Sequence, residues 1–335
     1  MRRALILVPA LALAVLLVCP SASAQNMERL PRETFDVIPP SERVEGRRGA
    51  MRIVQSGCRV GPTHWARRRI VDVAVQEWGV FGFQTIDLRG VRERRLPDGV
   101  VPDALNPRLD EPAQDRMIVA VGRWEHTPAL AATIAGYWSA TPDGASILSR
   151  QNRQWRSGEG EINWVEPWSA AFVSWVMCEA GLGEMAQFER DISHRVYIDQ
   201  AIRARDGERP GAAYVAHDPG EVAIQPGDLL CNSRGGVNYR SLADRRRDLG
   251  RYVGSHCDVV VRVGEDTVAV IGGNVLNGVS LTLLPLVEGQ GAYPAVISGA
   301  DLEGARTMFA HLSLQADPVE ATALDASPTI RALNP

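Results

Sequence analysis

The chain changes its hydrophobic period once, near its middle, and that change restricts the folds open to it. Between Ser169 and Ala180 the residues Val173, Val176, Met177 and Ala180 stand at i, i+3, i+4 and i+7, one face of a helix, and Gly181 follows where a C-terminal cap belongs. After Gly227 the period is two. Residues 227–231, 256–263, 267–271 and 279–284 are short β-branched or leucine-rich runs, the middle pair joined by Gly264-Glu265-Asp266. Helices first and strands later predict an α+β domain rather than a doubly wound sheet, with N-terminal helices packed on a small antiparallel sheet or barrel.

Residues 1–24 have the form of a signal peptide: Arg2 and Arg3, an apolar run from Ala4 to Val18, and Ala22-Ser23-Ala24 as a small-residue cleavage site. The expected location is therefore secreted, and periplasmic in a bacterium. Anchoring as a lipoprotein at Cys19 fits less well, because Val18 and Pro20 flank that cysteine. No other stretch approaches the ~20 apolar residues that span a bilayer. Residues 25–61, rich in charge and carrying Pro31, Pro39 and Pro40, read as a linker or arm. The main domain is expected over 62–315, with 316–335 as a flexible tail. Within the domain, Thr63 to Trp78 has helical spacing, 87–115 with its four prolines reads as a long surface excursion, and 116–138 reads as two helical pieces broken by Gly122 and Pro128.

All 36 basic residues are arginine, and with 40 acidic residues they leave a net charge of −4. That balance argues against a general nucleic-acid or membrane footprint. Cys58, Cys178, Cys231 and Cys257 remain after processing, and export permits them to pair. Four cysteines allow three complete pairings, among which composition does not choose. Cys231 and Cys257 lie on runs expected to be adjacent in the sheet, so their pairing is the one to test. No spacing suggests zinc, and neither metal nor cofactor is expected.

Three polar positions could do chemistry. Ser169 begins the central helix, where unpaired N–H groups and partial positive charge can stabilise an anionic nucleophile or an oxyanion. A serine in that place is also simply a favoured cap, although Phe172 replaces the capping-box partner. On the run 256–263, His256 and Asp258 alternate with the apolar Cys257, Val259 and Val261. Asn274 ends the next run after Gly272-Gly273, where its amide could hold an imidazole, or serve only as a turn residue. Cys178 lies about two turns from the helix start, on the opposite face from Ser169, and Cys257 alternates away from His256, so neither is an obvious nucleophile. His194 and Tyr197, three apart in a helical stretch, could line a cleft, and Asp228 could support the loop after Pro226-Gly227. Arg234, Arg240, Arg245, Arg246, Arg247 and Arg251 crowd the stretch before His256, where guanidinium groups could recognise carboxylates or merely be solvated.

The run Pro167-Trp168-Ser169-Ala170-Ala171-Phe172-Val173-Ser174-Trp175-Val176, then Ala180-Gly181, Gly227-Asp228-Leu229, Ser255-His256-Cys257-Asp258-Val259-Val260 and Gly272-Gly273-Asn274, resembles the uncharacterised bacterial family numbered 2272 among domains of unknown function. That family is similar to the CHAP amidase/peptidase group and to NlpC-type cell-wall peptidases. The resemblance spans about Pro62 to Leu314 and is sharpest from Glu166 to Leu286. It implies a papain-like fold in which Ser169 takes the nucleophile position, His256 the base and Asn274 the orienting residue. In the wider group the nucleophile is a cysteine, whose thiolate is intrinsically more reactive.

The expected function is that of a secreted, cell-wall-associated amidase or peptidase acting on peptide amide bonds through Ser169, His256 and Asn274. Trp168, Asp258, Arg234 and His194 are the expected substrate-binding residues, and the expected partner is a peptidoglycan stem peptide. The rival readings are a peptide-binding module that has lost turnover and a serine esterase acting on acylated glycans.

Overall fold

Ser169–Ala180 forms the central helix, and every one of its residues is buried. A helix that is buried all round needs partners on all sides, and its ends must be capped from within. Gly181 closes the C-terminus at φ +107°, and its N–H donates to the Met177 carbonyl. The computed structural model describes residues 27–88, 117–158, 163–234, 237, 239–288, 294–296 and 308–333. The expected signal peptide, Cys19 and most of the expected excursion at 87–115 lie outside the described residues.

In chain order the helices are α1 (Arg32–Phe35), α2 (Ala66–Val80), α3 (Ala131–Trp138), α4 (Gly144–Ser157), α5 (Ser169–Ala180), α6 (His194–Arg205), α7 (Leu242–Arg246) and α8 (Pro328–Leu333). The strands are β1 (Val44–Glu45), β2 (Arg52–Ile53), β3 (Thr85–Asp87), β4 (Met117–Ala120), β5 (Tyr214–His217), β6 (Leu229–Ser233), β7 (Ser255–Val263), β8 (Thr267–Val275), β9 (Gly278–Glu288), β10 (Pro294–Val296) and β11 (Met308–Leu314). β1 and β2 pair with each other, and the other nine strands form one sheet in the order β4-β3-β9-β8-β7-β6-β11-β5, with β10 also on β9. Among the described residues the architecture is α+β, and the large sheet does not close into a barrel. It is also mixed rather than purely antiparallel, because β3 runs parallel to β9.

The sheet buries both faces. On β7, Cys257, Val259 and Val261 join the helical core of α2, α3 and α5, while Val260 packs with Leu230, Val268 and Val270 on the opposite side. β8 and β9 are linked by Leu276-Asn277 at φ +48° and +60°, the paired left-handed conformation of a two-residue hairpin turn.

Three expectations change. Residues 117–120, assigned to a helix by their period, form the short strand β4, and the helix starts only at Ala131, after a 3-10 turn at Pro128–Leu130. The arm is part of the core from residue 27 onward: Phe35, Val37, Val44 and Met51 are buried, the Arg43 guanidinium pairs inside the protein with Glu179, and Cys58 is disulfide-bonded to Cys178. Nor is 316–335 loose as far as it is described. Val263 N–H donates to Ala321 O at 2.8 Å, Leu324 N–H donates to Val261 O at 2.9 Å, and α8 packs on α2. These segments escape periodicity because they are held by partners distant in sequence: β4 by β3, the arm by Glu179 and Cys178, and the tail by β7 and α2.

Candidate functional site

The residue before α5 sets where the helix begins. Trp168 is fully buried, its indole N–H donates to Glu125 Oε2 at 2.8 Å, and its ring lies 5.7 Å from those of both Phe81 and Tyr137. Trp168 therefore anchors the helix start within the core and does not face a cleft. It is also the N-cap, and no side chain caps the helix there. Ser169 is consequently not a cap residue. Its Oγ lies 2.7 Å from Nε2 of His194.

His194 is the first residue of α6 and reaches Ser169 because α5 holds the preceding turn. Ser174 Oγ donates to Asp191 O at 3.0 Å, and Asp191 in turn accepts from Ser193 N–H at 2.9 Å through Oδ1. On its other side the ring meets two groups at Nδ1: the Cys257 backbone N–H at 3.1 Å, and the Tyr197 hydroxyl in close contact. A backbone N–H can only donate, so in the neutral ring Nδ1 carries the lone pair and the proton sits on Nε2, directed at Ser169 Oγ. β7 pairs with β8 only as far as Val259↔Ile271, and the Cys257 N–H beyond it is taken by the imidazole. Tyr197 is buried and stacked on Phe188 at 4.7 Å. Burial, reinforced by Asp191, Asp258 and Tyr214, pushes its phenol well above the usual tyrosine range.

His256 is paired differently. Its Nε2 lies 2.6 Å from Asp258 Oδ1, and its ring centroid lies 5.0 Å from that of His194. Alternation along β7 puts His256 and Asp258 on the face of Val260, across the sheet from α5. Gly272 and Gly273 make this arrangement possible. A Cβ on Gly272 would stand 1.8 Å from Asp258 Oδ1, and one on Gly273 would stand 2.5 Å from Phe172 Cβ. The glycine pair thus lets a carboxylate lie on one side of β8 and the helix on the other. Asn274 follows at φ +54°, half-buried, with no side-chain hydrogen bond among the described residues.

The site is enclosed: Ser169 is 4% exposed, His194 3%, His256 0% and Asp258 3%. The histidine in contact with Ser169 is His194, assigned from the sequence only to the lining of a cleft. Its i, i+3 spacing to Tyr197 was the available signal. Asp228 receives Gln225 N–H at 2.9 Å and Leu314 N–H at 3.0 Å and pairs with the buried Arg67 and His311, so it holds the turn that leads into β6, where a loop after Pro226-Gly227 was expected. Much of the arginine cluster is engaged within the chain. Arg245 grips Asp199 with two bonds of 2.7 Å, while Arg246, Arg247 and Arg251 pair with Asp206, Asp244 and Asp248. Arg234 is half-buried, and its backbone N–H donates to Gly254 O at 2.8 Å. Cys231 and Cys257, opposite each other on β6 and β7, form the second disulfide, so neither they nor Cys178 offers a thiol. No group of three or more potential metal ligands occurs among the described residues.

The chain belongs to a family described as an uncharacterized protein conserved in bacteria (DUF2272), whose family model matches residues 125–298, more than half of the sequence. Glu125, Ser169, His194, Tyr197, His256 and Asp258 all fall inside the matched segment. No curated protein and no solved structure matches the chain.

Proposed function

We propose that this member of the family is an exported acyl-transfer hydrolase with a papain-like arrangement, cutting amide bonds in peptides such as the stem peptides of the cell wall. The observation that carries the reading is the 2.7 Å contact between Ser169 Oγ and His194 Nε2 at the start of α5. The hydroxyl attacks the carbonyl carbon, its proton passes to Nε2 of His194 in the Nδ1–H tautomer of the ring, and the N–H groups at the helix start face the developing oxyanion. His256 and Asp258 form a second dyad behind the first. Two disulfides accord with an exported protein, and among the described residues no helix is long and apolar enough to cross a membrane.

A second reading is favoured by a specific observation. With Nδ1 accepting from Cys257, His194 presents a proton to Ser169 rather than a lone pair, the arrangement of a recognition site without turnover. Mass spectrometry of stem peptides and of acylated glycans incubated with the mature protein separates the two. Hydrolysis that disappears in Ser169→Ala and His194→Ala supports the enzyme. Saturable peptide binding with every bond intact supports the binding module.

A further inference from the structure

Of the two groups at Nδ1 of His194, the Cys257 amide can only donate, whereas the Tyr197 hydroxyl can donate or accept. Any step in which His194 takes the Ser169 proton ends with protons on both ring nitrogens. The Nδ1–H then points at the place now shared by an amide N–H, which repels it, and a phenol oxygen, which does not.

We propose that Tyr197 is the positioning residue of His194: its hydroxyl donates to Nδ1 in the resting ring and turns to accept from Nδ1–H in the forms that serve Ser169. The reacting ring is the Nδ1–H tautomer, reached from the resting Nε2–H ring when a water molecule takes the Nε2 proton and a proton is returned at Nδ1. The Oγ–H bond of Ser169 then breaks as Oγ bonds to the acyl carbon and the carbonyl π pair moves onto its oxygen, the released proton forms Nε2–H, and the Nδ1 proton stays hydrogen-bonded to Tyr197 Oη. This role rests on the reading that His194 serves Ser169.

Three features of the fold suit Tyr197 to it. The i, i+3 spacing on α6 brings the phenol under the imidazole, stacking on Phe188 holds the ring in place, and burial keeps the phenol protonated and therefore able to reverse its bond. Other ionisable groups that act on the pair are His256 on β7, with Asp258 beyond it, Tyr214 on β5 and Asp191 ahead of α6.

The test is a titration of His194 in the mature full-length protein, with ¹⁵N-labelled histidine followed by NMR in the wild type, in Tyr197→Phe, and with 3-fluorotyrosine incorporated at position 197. The wild type should rest as the Nε2–H tautomer. Loss of an acceptor for a charged ring should lower its proton affinity about tenfold or more in Tyr197→Phe. The fluorinated ring, a weaker acceptor of nearly unchanged shape, should give a smaller shift of the same sign. An unchanged midpoint and tautomer in both altered proteins would overturn the proposal. Because the ring itself is observed, the result is separable from turnover. A lowered midpoint in a protein that hydrolyses nothing removes the hydrolase and keeps Tyr197's role, whereas an unchanged midpoint with hydrolysis intact does the reverse.

Discussion

The carboxylate of Asp258 lies across the backbone of Gly272, where a methyl group would stand 1.8 Å from Oδ1. The Val275 side chain would be crowded too, at 2.9 Å, but the sharpest clash is with the carboxylate, and moving it releases His256. Gly272→Ala should therefore cost about 1–3 kcal/mol or more through overpacking, and it should shift the imidazole resonances of His256. Unaltered denaturation and an unaltered His256 signal would show that the pair does not depend on that glycine.

Ser169 makes its hydrogen bond to a buried imidazole rather than to the helix start. Ser169→Ala leaves Nε2–H of His194 without this acceptor, so the expected loss is about 1–3 kcal/mol, the range for a buried polar group deprived of its partner. Chemical denaturation measures it. A variant as stable as the wild type would mean that the contact contributes nothing to the folded state.

Asp72 on α2 has its ionisation displaced to about 7, chiefly by burial, against the attraction of Arg68. Its Oδ1 is buried with no hydrogen-bond partner among the described residues. The folded value lies above the unfolded one, near 3.9, so its contribution to stability is complete below about pH 4 and is lost as pH rises through about 7. Asp72→Asn should match the wild type at pH 4 and, after allowance for partial solvation, exceed it by about 1–3 kcal/mol at pH 8. Equal stability at both pH values would place the ionisation in its ordinary range.

The disulfides close loops of very different size, with sequence separations of 120 for Cys58–Cys178 and 26 for Cys231–Cys257. Chain entropy alone assigns them about 5 and about 3.5 kcal/mol. Non-reducing peptide mapping should recover these two pairs, and Cys58→Ser with Cys178→Ser should destabilise more than Cys231→Ser with Cys257→Ser. Any other pairing would contradict the register of β6 and β7.

The sequence made legible what local pattern controls. The period of α5 and its Gly181 cap and the hairpin of β7 and β8 could be read because each depends on neighbours a few residues away or across one turn, and the adjacency of Cys231 and Cys257 because each sits on a run that reads as a strand. β3 and β4, three and four residues long, are too short to show a period. The arm is held by Arg43 on Glu179, 136 residues apart, which no local signal announces. The site was legible as a serine at a helix start and as a histidine with an aspartate two residues on. Which histidine meets the serine depends on how Ser174 fixes the turn before α6, a tertiary relationship.

The most direct measurement is labelling of the mature protein with a fluorophosphonate probe followed by peptide mapping. An activated hydroxyl at the start of α5 predicts a single adduct on Ser169, lost in His194→Ala and retained, though slower, in Tyr197→Phe. A folded protein that leaves Ser169 unlabelled, or labels it equally well without His194, would contradict the account.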